Sequence, residues 1–73
     1  MITQKFIISV EVFNLLQSII QEKLLPVYVT PGNQYRDTSG NIYQSILVET
    51  PIPEFFQKLL FNLEISVLNP IEN

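Results

Sequence analysis

The sequence predicts an α+β fold, and three observations carry that prediction. Apolar residues alternate over 5–10 and again over 42–49, the pattern of half-buried strands. They recur at helical spacing over 11–24 and 53–63. Prolines and glycines fall at most of the joins, where a chain changes direction.

Taken in order, Phe6, Ile8 and Val10 face one way and Lys5, Ile7 and Ser9 the other, which makes a first strand. The period then changes. Val12, Phe13, Leu15, Leu16, Ile19, Ile20 and Leu24 form an apolar stripe opposite Glu11, Asn14, Gln17, Ser18, Gln21 and Glu22. A helix is predicted over 11–24, with Ser9 placed to cap it and Pro26 forcing its end. Val27–Thr30 reads as a short second strand, and Pro31-Gly32-Asn33 as a turn or the start of a loop. Asp37 and Gly40 suit the turn into a third strand, 42–49. Its Ile42, Gln44, Ile46 and Val48 share one face, and Tyr43, Ser45, Leu47 and Glu49 the other. Pro51 and Pro53 end that strand, and Pro53 with Glu54 opens a second helix over 53–63. Phe55, Phe56, Leu59, Leu60 and Leu63 make its apolar stripe, to which Phe61 does not belong. Glu64–Leu68 alternates once more and is read as a fourth strand, ended by Asn69-Pro70.

This order predicts a βαββαβ ferredoxin-like split-βαβ sandwich, with two helices on one face of a four-stranded antiparallel sheet. Strands one and three are expected at the centre, strands two and four at the edges. Residues 1–73 are expected to form a single small domain. The face without helices would then carry Ile7, Tyr28, Tyr43, Leu47 and Leu68 among polar residues.

Composition limits the chemistry. The chain has no cysteine and no histidine, which excludes thiolate and imidazole catalysis and their metal sites. Its seven acidic residues are spread along the chain at helix starts, turns and solvent faces, and no carboxylate pair stands out. No catalytic residue, metal site or cofactor is expected, and the protein is read as not an enzyme. With a net charge of −3 and four scattered basic residues, it lacks the clustered cations that nucleic acid or anionic lipid requires. No run approaches the ~18 apolar residues of a membrane span, and the N-terminal segment lacks a signal-peptide cleavage site, so a cytoplasmic location is expected.

What remains is binding. A chain of 73 residues with 47% hydrophobic content is expected to leave apolar surface uncovered. The sequence therefore predicts a small acidic interaction module, a regulatory or accessory subunit that binds protein through the open sheet face. Homodimer or larger assembly is the expected form, with face-to-face packing because the edge strands are short. Ile7, Tyr28, Tyr43 and Leu47 are the expected contacts from the sheet. Tyr35 and Arg36 come from the 31–40 loop, where Gly-Asn-x-Tyr occurs twice at a spacing of eight. The alternative is a small-molecule sensor or carrier that uses the open face and the same loop, with the tyrosines as stacking groups.

Overall fold

The structure, a computed structural model, describes residues 2–68. Its elements are β1 (Ile2–Ser9), α1 (Val10–Lys23), β2 (Tyr28–Arg36), β3 (Ile42–Thr50) and α2 (Pro53–Leu68). The three strands form one antiparallel sheet in the order β1-β3-β2.

Local chemistry accounts for most boundaries. The Ser9 hydroxyl accepts a hydrogen bond from the Val12 backbone N–H at 3.2 Å, so the N-cap lies where the sequence placed it. At the other end Leu24 adopts the left-handed conformation, φ 51°, and its N–H returns to the Ile20 carbonyl, closing the helix ahead of Pro26. Thr50 ends β3 with its hydroxyl accepting from the Ile52 N–H at 3.1 Å, and α2 starts at Pro53.

The core lies between the sheet and both helices. Ile8, Ile46 and Val48 from the sheet meet Val12 and Leu16 of α1 and Phe56, Leu60 and Leu63 of α2, with Val27 closing one side. The Phe6 ring lies 5.4 Å from that of Phe56, tilted at 50°, in the range of favourable aromatic pairs.

The ferredoxin-like expectation is overturned at its last element. Residues 64–68 continue α2 as helix, so the sheet has three strands and the described chain reads βαββα. Phe56, Leu60, Leu63 and Val67 follow at i, i+4, i+7 and i+11, and the core holds that stripe to its end. A five-residue apolar alternation fits strand or helix equally well, and tertiary packing decided it. One consequence is positional. β3 alone is central, and β1, expected inside the sheet, is an edge.

The second strand is also longer than expected. Pro31-Gly32-Asn33 is no turn: β2 runs through it to Arg36, with a shift in register between Pro31 and Gln34. The extra residue is held by Gln44, buried on β3. Its Nε2 donates to the carbonyls of Gly32 and Ser45, both at 2.9 Å, while its Oε1 accepts from Gln34 Nε2 at 3.3 Å. A Cβ at Gly32 would come 3.4 Å from Ser45 Oγ, ordinary van der Waals contact, so the bulge lies directly against Ser45. The expected 31–40 loop therefore shrinks to the hairpin turn between β2 and β3. Among the described residues no helix is long and apolar enough to cross a membrane.

Candidate functional site

Directly paired residues of neighbouring strands share a face, so the register defines the side of the sheet that the helices leave open. Thr3, Glu49 and Tyr28 form one row across it, Lys5, Leu47 and Thr30 the next, then Ile7 and Ser45, and finally Ser9, Tyr43 and Tyr35. All three tyrosines of the chain thus stand on this face. Ile7 is 59% exposed and Tyr28 64%, with Leu47 and Tyr35 also in solvent. Ser45 is buried, although it points the same way, because the bulge at Gly32 passes against it.

Five of the six expected contact residues are brought together here: Ile7, Tyr28, Tyr35, Tyr43 and Leu47. Arg36 is not. It pairs with Ile42 on the opposite side of the sheet, one residue out of phase with Tyr35. Leu68, expected on the open face as part of a fourth strand, belongs to α2. The repeated Gly-Asn-x-Tyr has a geometric outcome. Its first copy leaves the bulge and its second leaves the hairpin turn, and the two tyrosines become direct cross-strand partners.

The turn beside them is organised by Asp37. Its Oδ1 accepts from the backbone N–H groups of Ser39 and Asn41, each at 2.9 Å, and its Oδ2 from Asn41 Nδ2 at 3.1 Å and the Tyr43 hydroxyl at 3.3 Å. Gly40, at φ 88°, supplies the left-handed residue this turn requires. The Asn41 backbone N–H above all, with the Asn41 side chain, Ser39 and Tyr43, holds the Asp37 carboxyl below the usual aspartate range. Arg36 is thus not the partner that Asp37 uses.

Two hollows border the face. One of about 320 Å³ sits at the bulge, lined by Lys5, Thr30, Pro31, Gly32, Asn33, Tyr35, Ser45 and Leu47. The other, about 670 Å³, lies at the far end of β1, where Ile7, Ile8 and Ser9 meet Gly40–Tyr43 and, from α2, Glu64, Val67 and Leu68. The sequence reading missed this second groove because it took 64–68 as a strand. It also missed Gln44 as the group that clamps the bulge. The signal available for the groove was the lack of any proline or glycine between Glu54 and Asn69, which leaves nothing to stop α2 early.

Comparison of the chain with models of known protein families, with curated proteins and with solved structures found no match.

Proposed function

We propose that this protein is a non-enzymatic protein–protein interaction module, a regulatory or accessory subunit that works in the cytoplasm through the open face of its sheet. One observation carries the reading: Ile7, Leu47 and all three tyrosines share a face that neither helix covers. Tyrosine suits such a surface, because its ring gives contact area at low entropic cost and its hydroxyl finds a hydrogen-bond partner at the margin. Lys5 and Glu49 stand among the apolar groups, so the surface is mixed rather than greasy, as in interfaces that form between separately folded proteins. The partner this chemistry fits is a folded protein surface that presents apolar side chains and hydrogen-bond acceptors.

A second reading has its own observation. The hollow at the bulge joins Lys5, Tyr35 and Leu47 to the backbone of Gly32 and Asn33, and its volume of about 320 Å³ reaches the small end of ligand sites. A sensor or carrier of a small molecule would use it.

The test pairs Ile7→Ser with Leu47→Ser in one chain, both being solvent-exposed positions. A partner from the native host that binds the wild type should be lost by the double variant while circular dichroism stays unchanged. Undiminished binding would remove the open face from consideration. A thermal-shift screen against common metabolites addresses the second reading, since a ligand at a hundred times its Kd raises stability by about 2.7 kcal/mol.

A further inference from the structure

The two outer edges of the sheet differ in how they meet solvent. The β2 edge is interrupted by Pro31 and by the bulge at Gly32-Asn33, devices that discourage another strand from adding. The β1 edge has neither. Its eight residues, Ile-Thr-Gln-Lys-Phe-Ile-Ile-Ser, contain no proline, no glycine and one charge, and among the described residues they pair only with β3. The expectation of face-to-face packing assumed short edges, and β1 removes that premise.

We propose that a second copy of this chain occupies the β1 edge, with the two β1 strands antiparallel about a two-fold axis normal to the sheet. The strand itself selects the register. Such an axis keeps the helices of both copies on one side, so opposed residues must share a face and their positions must add to an even number. Only two such registers pair seven residues of β1, one centred on Lys5 and one on Phe6. The first sets Lys5 against its own copy, a like-charge opposition that destabilises a strand pair. The second sets Phe6 against Phe6, Lys5 against Ile7, Gln4 against Ile8 and Thr3 against Ser9. The lysine stem then lies along an aliphatic neighbour while its ammonium stays in water.

α2 supplies the flank. Because Glu64 and Leu68 line one groove with Ile7, Ile8 and Ser9, that side of the helix overlooks the end of β1. Phe61 precedes Leu68 by two turns on the same side, and the two are 62% and 77% exposed. Pairing of the strands brings the α2 helices of the two copies toward each other and gives these side chains a partner. Three strands from each copy would form one continuous sheet of six, and the open faces would lie side by side, still free. This assembly rests on the β1 edge and α2, and Ile7 is the residue it shares with the open-face contact, whereas Leu47 belongs to the open face alone.

The chain has no cysteine, so engineered ones report cleanly. Under mild oxidation an equimolar mixture of the Lys5→Cys and Ile7→Cys chains should cross-link mainly as the mixed dimer. Dominant self-linking of Lys5→Cys would mean the Lys5-centred register and overturn the assignment. Sedimentation of the wild type should show a dimer at micromolar concentration. Phe61→Ser should weaken it at least about tenfold, and Leu47→Ser should leave it unchanged. Dissociation by Leu47→Ser but not Phe61→Ser would mean face-to-face packing and overturn the edge model. A wild type that stays monomeric at several hundred micromolar overturns the proposal and leaves β1 to a strand of another protein.

Discussion

On the helix side of β3, Gln44, Ile46 and Val48 are buried, whereas on the other side Leu47 and Glu49 stand in solvent and Tyr43 is half-buried. The same strand, read one residue out of step, therefore holds the fold with one set of side chains and offers the other set outward. The difference teaches where substitution is felt. Gln44, Ile46 and Val48 hold the core or the bulge, whereas the second face stands outward except at Ser45, which the bulge at Gly32 covers.

The largest expected effect belongs to Ile46, which is fully buried between Phe6 of β1 and Pro31 of β2 in the register. Ile46→Ala should cost about 2–5 kcal/mol, since the lost methyl groups leave a cavity the packed core only partly fills. For a domain of this size that approaches the whole stability, and a thermal melt by circular dichroism should show a largely unfolded population at 25 °C. A mild effect there would mean that the two faces are exchanged.

The same face holds two glutamines in opposite states, which sharpens the comparison. Gln44 spends its amide on Gly32, Ser45 and Gln34, so Gln44→Met should leave those groups without partners and cost roughly 1–3 kcal/mol. Gln4, opposite Val48, buries an Oε1 with no partner among the described residues. Gln4→Met should be neutral or stabilising by up to about 1 kcal/mol, because nothing is broken and a desolvated oxygen is removed. Urea midpoints of the two variants check the contrast: equal destabilisation would mean that neither amide is used as the structure shows.

The alternation in 42–49 was enough to assign both faces of β3, and Ser9 and Pro26 were enough to bound α1 within a residue or so. What stayed illegible was decided at a distance. Glu64–Leu68 carries no local preference strong enough to choose, and it is helical because Leu63 and Val67 prolong the stripe begun at Phe56. Pro31-Gly32-Asn33 has the composition of a turn, yet Gln44, twelve residues beyond Gly32, ties it into a strand. Ile7, Tyr28, Tyr43 and Leu47 could be placed on one face because strand parity alone decides it. Tyr35 and Arg36 were expected in a loop, and the opposite faces they take depend on the extent of β2 and hence on that bulge.

A smaller effect is expected where the open face meets the hairpin. The Asp37 carboxyl titrates lower when folded, so any stability it adds is complete above the ordinary aspartate range. That contribution is lost as pH falls through the lowered folded value. The amide shifts of Ser39 and Asn41, followed by NMR, should therefore titrate with a midpoint below that of a free aspartate. Tyr43→Phe removes one of the groups that hold the carboxylate, and should move the midpoint back upward without unfolding the chain. An unshifted midpoint in the wild type would contradict the turn geometry.

The smallest effect should come from Leu47 and Arg36, both exposed and neither making a side-chain hydrogen bond or ion pair among the described residues. Leu47→Ser and Arg36→Ala should each change stability by less than about 0.5 kcal/mol. Their value lies in the difference between them. Leu47 shares the open face with Ile7 and the tyrosines, while Arg36 stands on the other side of the sheet beside Ile42. If the open face is the contact surface, Leu47→Ser should weaken partner binding and Arg36→Ala should not, with melting temperatures the same for both. Loss of binding in Arg36→Ala alone would move the contact to the hairpin end of the sheet. Tyr28 and Leu47, away from that end, would then lie outside the contact.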